Sequence, residues 1–470
     1  MPERTPAGLF EGPLLRRGDP GYDRARADAV WNGLTPERFP EVILQAATER
    51  DIPRALAWAR AQGLRVSTRS GGHNWSGSQL RDGSLLIDLS RLRHCSVDPA
   101  SATAEVGPAV TGMDLVEALA PYDLAFPVGH CPSVALGGFL LSGGMGWNSR
   151  VWGPACADVL EIRAVTADGR TVICSATENA DLFWAARGAG PGFFAVVTGF
   201  RLGLHPHPAA ITTTGLTFPL ADVERVTGWA VRTARDLPSN VETALVLAAS
   251  GEATATAPPG PRITVGATAF ATTRDEALAA LEPLGACPFA EQALSRQPPE
   301  PTSFESLHDG AARAWPSAHR YAVDTLWSAE SYETLMPRAA GVLARAPSGK
   351  SLVLAPVQPV SPDPALLRNM AFSAPGESYL ACFAVWDDPA ADEANTGWLR
   401  ETLAAADPSG RGGHYIAEAD LEADADRARR SYAPADWVRL QELKLKWDPD
   451  NLFHSYLAPV PRGARLERPC

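Results

Sequence analysis

From about residue 41 the chain alternates short apolar runs with amphipathic stretches. VILQAA (42–47) leads into DIPRALAWARAQG (51–63) and then LRVSTR (64–69), a pattern that predicts a strand–helix–strand unit. TAEVGPAVTGMDLVEALAPYDLAFPVG (103–129) repeats the idea: strand, Gly-Pro turn, helix, then a strand entering a glycine-rich loop. VLEIRAVTADGRTVICSA (159–176) predicts a hairpin around Asp-Gly, and FFAVVTGFRLGLHP (193–206) closes the region with a strongly β-forming run. The first 40 residues or so, rich in Pro, Arg and Asp, read as an irregular lead-in.

At HPHPAA (205–210) the pattern changes. Strand-like runs (ITTTGLTF, TALVLAAS, RITVGATAF, SLVLAPVQPV, SYLACFAVWDD) now alternate with helices such as TTRDEALAALEPL, which predicts an antiparallel sheet with helices on one face. A helical stretch, NTGWLRETLAAAD (395–407), precedes the acidic GRGGHYIAEADLEADADRARR (410–430), and the helix ADWVRLQELKLKW (435–447) ends at the turn DPDN. The expected organisation is 1–205, 206–404 and 405–470, the last segment returning to the first lobe, and the fold class is α+β.

Composition narrows the function. With 470 residues, 45% hydrophobic and 20% charged, the chain is a globular protein of more than one core. A net charge of −12 supplies no basic footprint for nucleic acid. No apolar run reaches the roughly 18 residues of a membrane span, and MPERTPAGLFEG lacks a secretion signal, so the expected location is the cytoplasm. Seven widely spaced cysteines, an odd number without a CxxC pair, indicate neither a disulfide framework nor a zinc site.

Two glycine-rich stretches carry the candidate chemistry. Arg69-Ser70-Gly71-Gly72-His73 is a loop between two apolar runs, with glycines that free the backbone and polar residues able to hold an anion. Its histidine could ligate a metal, act as a base, cap a turn or become attached to a ligand. PVGHCPSVALGGFLLSGGMGWNSRVWGPACADV (127–159) combines many glycines with an apolar setting, which suits close approach to a large flat or phosphorylated ligand, or tight packing. It is not a dinucleotide fingerprint, because Gly144-Met145-Gly146 is followed by Trp-Asn-Ser. His205-Pro206-His207 reads as part of the Pro-rich break rather than a metal pair.

RSGGH, GHCPSVALGG, LLSGGMGWNSR, ADLFWAARGAGPGFFAVVTGF (180–200) and KLKWDPDNLFHSYLAP (444–459), in this order, resemble the flavin-linked oxidases of the vanillyl-alcohol-oxidase type. Within them the likeness is to the berberine-bridge-enzyme and oligosaccharide-oxidase branch. It implies a two-lobed FAD-binding fold with an antiparallel-sheet substrate domain. It also implies that the amides of Arg69, Ser70, Gly71, Gly72 and His73 hold the FAD pyrophosphate, with His73 joined to the ring methyl and Cys131 to ring carbon 6. Gly129, Gly138, Gly143, Gly144 and Asn148 fall in the second FAD-wrapping loop, and Val197 in the strand meeting the adenine side. His130 is placed to assist thiolate formation or flavin binding, and a small Val134 goes with oxygen access. Asn451 matches a residue bonding near the isoalloxazine, though Asp-Pro-Asp-Asn is also good turn chemistry.

The likeness departs at the base. Relatives carry Y-x-N-Y where this chain reads Tyr415-Ile416-Ala417-Glu418, so Glu418 takes the position of the proton-accepting tyrosine, with Tyr432 as second candidate. A carboxylate can do this work when desolvation raises its pKa. Glu418 could equally be one more solvated charge in an acidic run. Trp75 and Tyr415 are the expected pocket walls. The implied reaction is hydride transfer from an alcohol, amine or phenol-like carbon of a small secondary-metabolite-type substrate to bicovalent FAD, with O2 as acceptor giving H2O2. The alternatives are a dehydrogenase or oxidative cyclase using another acceptor, a carbohydrate oxidase, or a flavin-binding scaffold without catalysis. SYLACFAVWDD lacks the Tyr-Asp pair of sugar-oxidising relatives, which speaks against carbohydrate.

Overall fold

A computed structural model describes residues 8–250, 259–361, 363–424 and 426–457. The first seven residues, the last two of the KLKWDPDNLFHSYLAP match and Cys470 lie outside them. Three main sheets order the chain. In the first, β1 (Leu14–Arg16), β2 (Val42–Gln45), β3 (Arg65–Arg69) and β4 (Ser84–Asp88) run in the order β1-β2-β4-β3. Its strands β2, β3 and β4 are parallel, joined through the helix Asp51–Ala61 as the alternation predicts.

The lead-in is more ordered than its composition suggests. It contributes β1 on the sheet edge and the helix Tyr22–Asp28. A buried carboxylate explains part of this order: Asp51 accepts from the amides of Glu11, Gly12 and Ala47 at 2.8, 3.1 and 2.9 Å. That one side chain pins the lead-in to the start of the helix Asp51–Ala61.

The second sheet contains β5 (Cys95–Asp98), β6 (Thr103–Val106), β8 (Val159–Thr166), β9 (Thr171–Ser175) and β10 (Ala195–Gly203), in the order β5-β6-β10-β8-β9. A two-stranded pair, β7 (Leu124–Ala125) with β11 (His205–Pro206), lies beside it, so the histidine of the Pro-rich break sits in a strand. His205 is bonded to Asp158 at 2.8 Å and stacked on Trp152. Thr111 and Asp114 cap the helix Gly112–Leu119 reciprocally. This fixes the chain just before the glycine-rich stretch.

The third sheet is fully antiparallel: β12 (Ala210–Pro219), β13 (Val241–Ala248), β14 (Arg262–Ala271), β15 (Ser295–Thr302), β16 (Arg320–Ser328), β17 (Leu352–Val357) and β18 (Ser378–Trp386), in the order β15-β12-β14-β13-β17-β18-β16. Its period-two pattern divides two faces. Val241, Leu245, Ile263, Val265, Val353, Leu380 and Cys382 pack with residues of the helices Val223–Asp236, Arg274–Gly285, Tyr332–Leu343 and Asp392–Ala406. Tyr321, Val323, Tyr379, Ala381 and Phe383 face the other way. Helices on one face leave the opposite face free to roof a cavity against the first lobe.

The C-terminal helix Pro434–Trp447 ends in DPDN, and its Asp448 explains the motif. The carboxylate pairs with Lys444 and accepts from the amides of Leu452 and Phe453 at 2.7 and 2.9 Å. The following residues then lie along β3, with Val66 N–H donating to Leu452 O and His454 N–H to Val66 O, both at 2.8 Å. The far end of the chain is thereby fastened beside the strand that delivers RSGGH.

Candidate active site

Strand β3 runs directly into the loop 69–73, which lines a cavity of about 750 Å3 lying beneath the free face of the third sheet. Arg69 does not reach into it as a free cation. Its Nη1 pairs with Asp88 at 2.8 Å and its Nη2 donates to Asp28 O at 2.6 Å, so the guanidinium braces the loop. Among the described residues, none accepts a hydrogen bond from the amides of Gly71, Gly72 and His73. The glycines are needed for closeness as well as direction. A β-carbon on Gly71 would lie 2.7 Å from that of Ala135, and one on Gly72, at φ +77°, would lie 2.5 Å from Ala29 O. Unpaired amides beside two side-chain-free residues suit the close approach of a phosphorylated ligand.

The two expected anchors meet in the same cavity. The His73 ring stacks on Trp31 at 4.7 Å, and its Nε2 lies 3.0 Å from Oγ of Ser133, two residues beyond Cys131. His73, Gly129, His130, Cys131, Val134, Gly138 and Val197 all line the wall. Burial pushes the His73 imidazole down to about 4, with Arg69 adding to the effect, so the ring is neutral. Burial, helped by Glu418, pushes the Cys131 thiol up to about 11. His130 is also driven down to about 4 by burial and packs edge-on against Trp147.

Five expected residues stand behind the wall rather than in it. Gly143 and Gly144, both at positive φ, allow the loop to pass Phe372 and Phe139. The Gly144 amide donates to the Tyr415 hydroxyl at 3.2 Å. Asn148 is buried in the left-handed region at the start of a short helical turn. Asn451 takes the turn role: its side chain accepts from Arg65 at 3.2 Å, beside β3. Tyr432 is the main correction. It is packed among Trp437 and Tyr456, its hydroxyl donates to Gly188 O at 3.0 Å, and it does not line the cavity.

Glu418 does face the cavity. Its Oε2 accepts from the Tyr379 hydroxyl at 3.2 Å and its Oε1 lies 3.5 Å from Trp75 Nε1. Burial raises its pKa above the usual carboxylate value, while these two donors pull in the opposite direction. Trp75 meets Phe383 edge-on at 5.9 Å, Phe383 meets Trp315 at 5.7 Å, and Tyr415 lies in the same wall. Sequence reasoning missed Tyr379, Phe383, Trp315, Arg150 and Glu242, all of which line the cavity. Strand alternation was the available signal for Tyr379 and Phe383, since both fall on the free face of β18.

An FAD binding domain model matches residues 40–175, the span that contains both glycine-rich loops. FAD-linked oxidoreductase ptmO of Penicillium ochrochloron is 33% identical over 459 residues, covering 96% of each chain. (R)-6-hydroxynicotine oxidase of Paenarthrobacter nicotinovorans is 36% identical over 204 residues, 43% of each chain. The solved structure of BBE-like 1 from Physcomitrella patens shares the fold with a TM-score of 0.81 at 19% identity, over 97% of this chain and 98% of that one. The relatives place the chain among the FAD-linked oxidoreductases, and its fold is of the vanillyl-alcohol-oxidase type. It is an FAD-dependent oxidoreductase. Among the described residues there is no metal-binding cluster and no helix long and apolar enough to cross a membrane.

Proposed function

We propose that this protein is an oxidase whose FAD is attached through both His73 and Cys131. It oxidises a hydroxyl- or amine-bearing carbon of an aromatic or heterocyclic small molecule of the secondary-metabolite kind. The observation that carries the reading is the position of Glu418: a desolvated carboxyl, steered by Tyr379 and Trp75, in the cavity that His73 and Cys131 also line. When bound, the flavin supplies the hydride acceptor that O2 regenerates with release of H2O2.

The residues divide the remaining work. The amides of Gly71, Gly72 and His73 would hold the pyrophosphate, and Val197, which lines the same cavity, would face the adenine side. Residues 1–205 with 405–470 form the cofactor lobe, and 206–404 supply the roof. Trp75, Phe383, Trp315 and Tyr415 exclude water and seat the substrate's flat face. Glu418 accepts the proton from the substrate hydroxyl or amine as the neighbouring C–H loses hydride, leaving a carbonyl or imine. Tyr379 keeps the carboxylate aimed, as a donor to its second oxygen. The aromatic lining and the relative named (R)-6-hydroxynicotine oxidase support a heteroaromatic substrate over a sugar. Peroxide measured against substrate consumed tests the oxidase reading: one equivalent per turnover is expected, and a yield near zero assigns the electrons to another acceptor.

A further inference from the structure

The cavity holds a second carboxyl that the proposed chemistry does not use. Glu242 lies on the free face of β13 and lines the cavity. Register places it opposite Thr268 of β14, and Thr268 opposite Thr213 of β12. Gln297 of β15 stands opposite Gly215, one row along, and reaches back to this row, its amide donating to Thr213 Oγ1 at 3.2 Å. Three polar side chains thus cross the roof in a line with Gln297 bonded to its end, and all four line the cavity.

The next row is bare. Ala244, Gly266 and Gly215 pair across the same strands, and a β-carbon on Gly266 would meet nothing within 4 Å. Gly310, Ala311 and Ala314 of the helix Phe304–Ala314 also line the cavity, adding further small side chains to its wall. The result is a trough with thin walls and one polar margin.

Glu242 is held in place but pairs with no cation among the described residues. The Ser149 amide donates to its Oε1 at 2.9 Å, which takes one of the four lone-pair sites of a carboxylate. Arg150 is nearby, yet its guanidinium is committed to Val241 O and to Gln358 Oε1, and no ion pair joins it to Glu242 among the described residues. Burial pushes the Glu242 carboxyl up to about 8, with Ser149 and Arg150 opposing. Tyr379, the partner of Glu418, stands two strands away across β17. Two strand spacings put β13 and β18 roughly 10 Å apart.

We infer that Glu242 is a substrate-recognition residue that binds a basic amine on a flat substrate, two strands across the roof from the residue that steers Glu418. The polar row Glu242–Thr268–Thr213 receives the amine, and the bare row receives the ring system. The inference rests on the proposed oxidase reading, and deepens it by naming the distal group.

Isothermal titration of the holoenzyme tests it, using phenylalkylamines of two to six methylenes, each against the alcohol of equal length. At least one amine is expected to bind tenfold or more tightly than its alcohol. Glu242→Gln should abolish that preference while leaving the alcohol's Kd and the flavin spectrum unchanged, since glutamine still accepts from Ser149. A panel in which no amine outbinds its alcohol overturns the inference, as does a preference that survives in Glu242→Gln. A preference lost in Glu418→Gln instead would move the amine to the other carboxyl and also overturn it. Failure of the oxidase reading is separate: it appears as absent peroxide with the Glu242-dependent preference intact.

Discussion

Glu418→Gln isolates the proton-accepting step, because the substitution removes basicity and almost nothing else. Glutamine keeps the size of the side chain and can still accept from the Tyr379 hydroxyl, which lies 3.2 Å from Oε2. The flavin content of the variant should therefore match the parent. Loss of a positioned general base lowers the rate by about 10²–10⁴-fold, equivalent to roughly 3–5 kcal/mol of activation free energy. The assay is anaerobic stopped-flow reduction of the bound flavin across pH. In the parent, burial raises the Glu418 pKa, so the base is protonated at low pH and the rate climbs as pH rises through that raised value before levelling. In Glu418→Gln the climb should vanish along with the rate. An unchanged rate, or a pH limb that persists in the variant, would refute the reasoning.

Further outcomes follow from particular contacts. Gly72→Ala places a methyl 2.5 Å from the Ala29 carbonyl at a φ of +77°, so it should cost about 1–3 kcal/mol and yield protein depleted of flavin, read as the ratio of visible to ultraviolet absorbance. Tyr432→Phe loses the bond to Gly188 O, so it should lower stability by about 1 kcal/mol yet leave flavin reduction within about twofold; a hundredfold drop would restore Tyr432 as a base. Because the folded-state pKa of Glu242 is raised from 4.5 to about 8, its stabilising effect is full below the unfolded value and is lost as pH rises through about 8. The fall in Tm between pH 5 and pH 9 should accordingly be smaller in Glu242→Gln than in the parent, and equal falls would contradict the burial argument.

Local features were readable in the sequence where the determinant is itself local. RSGGH and the 127–159 stretch are contiguous, so glycine content and flanking strands suffice to suggest ligand loops. Strand alternation similarly exposed most of the third sheet. β15 and β16 escaped; SRQPPEPT of β15 carries three prolines and is almost wholly exposed, a composition tolerated only on an edge strand, which is where it lies. The ordered lead-in escaped because it depends on Asp51, forty residues beyond Glu11, whose amide it holds. Tyr432 and Tyr379 show the harder limit. Each is a buried tyrosine in an apolar context, and only the packing of distant segments decides that one braces a core while the other touches Glu418. Glu242 is hidden for the same reason, since its neighbours across the roof come from three other strands.

The account turns on two anchors in one cavity, and peptide mapping by mass spectrometry tests that most directly. Protein denatured, desalted and digested should release the peptides containing His73 and Cys131 joined through a single flavin. His73→Ala or Cys131→Ala should each retain the flavin on the remaining peptide with a shifted visible spectrum. Flavin recovered free in the low-mass fraction, with both peptides at their unmodified masses, would contradict the claim.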